Sequence, residues 1–86
     1  MADQMNYDDL RSILIEAAGA VEGMDREQEI IDTDLYDLGY DSLALMEVAA
    51  RIQQRFAVDI PDEEVTDLRT FRLILGRVNS SIEATA

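Results

Sequence analysis

The residues best suited to chemistry lie in the stretch LGYDSLALME, from Leu38 to Glu47, where one serine, Ser42, follows an aspartate and precedes an apolar run. A serine in such a place can act as a nucleophile, accept a transferred group or cap a helix. Nucleophilic hydrolysis needs a base and a group to orient it. The chain has no histidine and no cysteine, so the commonest base is missing, and with it the usual ligands of zinc and haem. GYDSL is also not a nucleophile elbow, because no strand pattern precedes it and Ala44 stands where a glycine should follow. Acids are dense between Asp32 and Asp41, which raises a calcium loop. Counted from Asp32, the turn position that demands glycine holds Asp37; counted from Asp37, it holds Ser42, so both registers fail. For an isolated Asp-Ser pair the plain reading is helix capping by Asp41 or Ser42.

The elements that must position this stretch are helical. Asn6 followed by Asp8 and Asp9 marks a helix start, and Leu10, Ile13, Leu14, Ala17 and Val21 continue as one apolar stripe. The spacing predicts a helix over residues 6–20, with Gly23 helping to end it. Residues 22–41 show no period and read as a long loop pinned by Ile30, Ile31, Leu35 and Leu38, with a helical turn near 34–37. A second helix begins at Asp41 or Ser42 and ends near Phe56, with Leu45, Val48, Ala49, Ile52 and Phe56 on its core face. Leu43, Met46 and Ala50 form a separate, narrower apolar sector edged by Glu47. Pro61 breaks the chain before a short helix opened by Asp62, Glu63 and Glu64. Thr70 can cap a last helix with Phe71, Ile74, Leu75, Val78 and Ile82 as its stripe, and the terminal EATA reads as frayed. The expected fold is all-α: a small four-helix bundle of three main helices and one short one, with a long first loop, in one domain over residues 1–86.

Nineteen acids face seven bases, all arginine, for a net charge of −12. Such a surface repels nucleic acid and anionic membranes and steers basic partners toward itself. The N-terminus has no basic and apolar leader pattern, and no apolar run approaches a membrane span, so a cytoplasmic monomer that binds neither nucleic acid nor membrane is expected. At 86 residues and 48% apolar content the core is modest, and nothing in the composition marks an enzyme or a metal site.

In context the Asp-Ser pair is more than a cap. Gly39, Tyr40, Asp41, Ser42 and Leu43, after an acidic loop and before a helix, resemble the attachment site of acyl carrier proteins. The resemblance extends to length, acidity, helix order and the F-x-V-x-I-P exit from Phe56 to Pro61. It implies a carrier, not an enzyme, whose Ser42 receives 4′-phosphopantetheine from coenzyme A through a phosphopantetheinyl transferase. The arm would supply the thiol that the chain lacks and hold acyl chains as thioesters. GYDSLALME looks more like carriers of bacterial type II aromatic polyketide synthases than like fatty-acid carriers, which tend to have a small residue at Tyr40 and acids where this chain has Arg51, Gln53, Gln54 and Arg55. A fatty-acid carrier is the alternative, followed by a peptidyl carrier or a non-carrier scaffold. The implied partners are the transferase, a ketosynthase with its chain-length factor, a malonyl transferase, a ketoreductase and cyclases. Leu43, Met46, Glu47, Glu63 and Glu64 are the expected docking face. Arg72 and Asn79, seven residues apart on the last helix, are the expected donors to the carbonyls of a sheltered acyl chain.

Overall fold

The computed structural model describes residues 4–85. Its elements run α1 (Tyr7–Ala18), α2 (Glu27–Ile30), α3 (Ser42–Phe56), α4 (Asp62–Val65) and α5 (Phe71–Thr85). The all-helical expectation holds, with one more short helix than the sequence pattern revealed.

α1 starts where capping chemistry dictates. The Asn6 side chain accepts from the Asp9 N–H at 2.8 Å, and the Asp9 carboxylate accepts from the Asn6 N–H at 3.0 Å. The helix stops sooner than its stripe suggested, at Gly19 and not at Gly23. Gly19 adopts φ +89°, which a side chain would resist, and its N–H donates to the Ile15 carbonyl at 2.8 Å. Val21 is therefore a loop residue that leans on the core.

The long first loop is largely ordered by burial. Met24, Ile30, Leu35 and Tyr40 reach the core, while Ile31 and Leu38 pack against it. α2 escaped the sequence reading because it is a single turn with only Ile30 buried, too short to show a period. The expected turn near 34–37 is present at 35–39. The loop is also fastened to the α4–α5 corner. The Leu35 N–H donates to the Arg69 carbonyl at 2.7 Å, and the Arg72 N–H donates to the Ile31 carbonyl at 3.0 Å. Arg69 adds an ion pair to Asp34 at 2.8 Å and lies 4.4 Å over the Tyr36 ring.

α1 packs on α3 and α5, and α4 packs on α3. Leu10, Ile13 and Leu14 meet Leu45, Val48, Ile52, Phe71 and Val78 in one buried cluster. Phe56, expected in the core, is half-buried at the end of α3. Thr70 caps α5 as expected, its hydroxyl accepting from the Leu73 N–H at 3.2 Å. The EATA tail is not frayed over its described part, since α5 continues to Thr85; Ala86 lies outside the described residues.

One long-range clamp closes the bundle. The Asn79 amide accepts from the Met5 N–H at 2.7 Å and donates to the Met5 carbonyl at 2.9 Å, which seats the buried Met5 side chain against α5. Asn79→Ala strips both partners from a half-buried backbone segment. It should destabilise the domain by about 1–3 kcal/mol, measured by urea unfolding, with faster amide exchange at Met5. An unchanged midpoint would show that the clamp adds nothing.

Candidate functional site

The site is built at the N-terminal end of α3. Gly39 turns the chain into it with φ +102°, a conformation in which any side chain would be strained. Tyr40 then points inward and is 6% exposed, although the sequence reading placed it only in a motif. Its hydroxyl donates to the Gly19 carbonyl at 2.7 Å, and its N–H donates to the Leu35 carbonyl at 3.1 Å. Burial pushes the Tyr40 phenol above its ordinary range, so it stays a proton donor at neutral pH. Asp41 swings back out with extended backbone and caps α3, its carboxylate accepting from the Ala44 N–H at 2.8 Å. Asp41 is thus the cap, and Ser42 is the first helical residue.

Ser42 is exposed, and among the described residues no hydrogen bond takes its hydroxyl. It sits at the positive end of a 15-residue helix, where the Ala44 N–H is taken by Asp41 and no hydrogen bond is seen on the Ser42 and Leu43 N–H groups among the described residues. The first turns of α3 and α5 hold no acid, whereas those of α1, α2 and α4 hold two, two and three. The free N–H groups of this helix end favour an anionic phosphodiester, while the Asp41 carboxylate at the cap works against one as a charge.

The expected docking residues divide in two. Leu43 is 69% exposed beside Ser42, and Glu47 and Glu63 are open to solvent. Glu47 also meets Arg51 at 3.8 Å, one turn on. Met46, by contrast, is half-buried against the core, so it serves packing more than its separate sector suggested. Glu64 is half-buried and bonded to Arg77, which also donates to Ser81; this joins α4 to α5.

Arg72 and Asn79 do not point donors into the interior. Arg72 forks onto Asp32 at 2.6 and 3.1 Å on the exposed surface, and this pairing holds the Asp32 carboxyl below its usual range. Asn79 is occupied by Met5. Spacing along α5 could not show either partner, because Asp32 and Met5 come from distant segments. A small apolar cavity of about 10 Å³ lies between Leu45, Val48, Ile52, Ile60, Val65 and Ile74. It has space for about one water and none for an acyl chain.

An exposed, unengaged hydroxyl at a helix N-terminus of an all-helical domain is chemically able to accept a covalent group. The family model described as "Phosphopantetheine attachment site" matches residues 8–78, and the chain belongs to that family. Within it, the chain is similar to acyl carrier proteins. It is 42% identical to the actinorhodin polyketide synthase acyl carrier protein of Streptomyces coelicolor, covering all of both chains. It is 40% identical to the granaticin polyketide synthase acyl carrier protein of Streptomyces violaceoruber, over 91% of this chain and 92% of that one. The solved actinorhodin holo acyl carrier protein from S. coelicolor superposes with a TM-score of 0.85, at 42% identity and full coverage of both chains. The prosthetic group is phosphopantetheine, and the chain is a carrier whose work is to hold acyl intermediates on that arm. Among the described residues no helix is long and apolar enough to cross a membrane.

Proposed function

We propose that this chain is a one-domain, cytoplasmic carrier of a type II polyketide synthase, with the arm on Ser42. The observation that carries this reading is the exposed Ser42 hydroxyl at the start of α3, within a chain similar over its whole length to polyketide synthase carriers. The same similarity favours polyketide over fatty-acid carriage. A phosphopantetheinyl transferase loads the arm. The Ser42 oxygen bonds to the phosphorus that bears pantetheine, the pyrophosphate bond of coenzyme A breaks, and adenosine 3′,5′-bisphosphate leaves. The serine proton passes to a base of the transferase, the neighbouring Asp41 carboxylate being engaged in capping α3. The arm supplies the thiol on which acyl chains ride.

The polyketide chain enters the core beneath α3 only if the bundle opens, because the apolar cavity there is only about 10 Å³. Arg72 and Asn79 reach its carbonyls only by exchanging partners. Arg72 is the easier to release, since its pair with Asp32 is a surface one and such pairs contribute little.

Partners, meaning the transferase, the ketosynthase with its chain-length factor, the malonyl transferase, the ketoreductase and the cyclases, dock on Leu43, Glu47 and Glu63. Met46 and Glu64 shape that face from behind. Contacts of this kind act on encounter and orientation and weaken with salt. Glu47→Arg should slow acyl transfer from a ketosynthase by roughly three- to tenfold at low salt, and added salt should bring the wild type toward the mutant. Its cost to the fold is about 0.5 kcal/mol, from placing a second arginine one turn from Arg51. The check is initial transfer rate against carrier concentration at two ionic strengths. Unchanged rates for a folded Glu47→Arg carrier would move the docking face away from α3.

A further inference from the structure

Two buried phenols grip the same stretch of the first loop, and only one of them also holds the attachment end of α3. Tyr7 opens α1, stacks on Phe71 at 4.7 Å between ring centres, and donates its hydroxyl to the Met24 carbonyl at 2.6 Å. Tyr40 lies two residues before Ser42 and donates its hydroxyl to the Gly19 carbonyl at 2.7 Å, with the Met24 sulfur 3.5 Å away. Tyr40 is fixed at both ends, because its N–H is bonded to Leu35, which is 0% exposed. Asp41 and Ser42, next along the chain, are exposed. Among the described residues no hydrogen bond or ion pair ties the Asp41 side chain to another element: its carboxylate caps its own helix. The only side-chain hydrogen bond from residues 39–42 to a different helix end is therefore the one from Tyr40 to the C-terminal cap of α1 among the described residues.

We propose that Tyr40 is a positioning residue for the loading of Ser42: its hydroxyl, seated on the Gly19 carbonyl, braces the start of α3 against the end of α1 and fixes the backbone from which Ser42 is presented when an enzyme engages it. The inference rests on the reading that Ser42 carries the arm. The physical reason is geometric. The serine oxygen must approach the phosphorus in line with the departing adenosine bisphosphate, and small misplacements of a reacting atom are costly in rate. The docking face, carried by Leu43, Glu47 and Glu63, does not include Tyr40, which is buried. Loss of the brace should therefore lower turnover and leave binding of the carrier intact.

The test compares Tyr40→Phe with Tyr7→Phe. Each loses one phenol hydroxyl from a bond to a loop carbonyl, so each carries a similar loss of stability. Apo carriers are titrated against a fixed amount of a broad-specificity transferase with coenzyme A. Tyr40→Phe should lower kcat by roughly two- to tenfold with the carrier KM unchanged, the scale set by one lost hydrogen bond. It should also speed amide exchange at Ala44 and Leu45 by a similar factor. Tyr7→Phe should keep wild-type kcat and wild-type exchange at those two amides. Equal losses in both variants, a wild-type kcat for Tyr40→Phe, or an effect on KM alone would overturn the brace. Ser42→Ala runs alongside: if it is loaded, the attachment reading itself fails, whereas an inert Ser42→Ala beside matched tyrosine variants refutes only the brace.

Discussion

Ser42→Ala is expected to abolish phosphopantetheine addition while leaving the fold almost untouched. With the hydroxyl as the proposed acceptor, removing it removes the bond that would form. The fold does not depend on it, because Asp41 and not Ser42 caps α3 and the Ser42 side chain is exposed. A surface change of this kind falls within about 0.5 kcal/mol, and alanine is the best helix former. Intact mass after incubation with coenzyme A and a transferase should show one added group on the wild type and none on the variant. Melting curves of the two apo proteins should coincide. Addition to Ser42→Ala would place the arm elsewhere; a variant that failed to melt cooperatively would mean that Ser42 supports α3 in a way its geometry does not reveal.

Phe71→Ala should have the largest effect on stability. Phe71 is 0% exposed, opens α5 and stacks on Tyr7 with 29° between the rings. Its removal leaves a void against α1 and deprives Tyr7 of its neighbour. Deleting a buried phenylalanine costs about 3–5 kcal/mol. A domain of this size has only about 4–13 kcal/mol to lose. The melting temperature should fall by roughly 12–40 °C, on the scaling for small domains. Chemical denaturation with and without the mutation measures it directly. A loss under about 1 kcal/mol would mean that the α1–α5 contact closes over the gap.

The core was legible in the sequence wherever one helix carried enough turns to show a period. Leu10, Ile13 and Leu14, then Leu45, Val48 and Ile52, then Phe71, Ile74 and Val78 are all buried as their spacing required. The start of α3 was legible too, because Asp41 and Ser42 precede an apolar run. What escaped notice depends on contacts between distant segments. Met5, Met24 and Tyr40 are buried by pieces of chain that lie far from them in sequence, and no local pattern marks them. Gly19 ends α1 although the apolar stripe continues to Val21, since backbone conformation and not hydrophobicity stops that helix. The same limit applies at the site. Charge and exposure singled out Glu47 and Glu63, but the ties of Glu64 to Arg77, Arg72 to Asp32 and Asn79 to Met5 arise only when helices meet.

The central claim is that Ser42 bears an arm on which polyketide intermediates grow. The most direct measurement is the intact mass and phosphopantetheine-peptide mass of the holo-protein after incubation with malonyl-coenzyme A, a malonyl transferase and the ketosynthase–chain-length factor pair of an aromatic polyketide synthase. The expected result is a series of malonyl and poly-β-ketoacyl adducts, all on the peptide containing Ser42. A holo-protein that stays unloaded while the synthase's own carrier is loaded beside it, or adducts on any other peptide, would contradict the account.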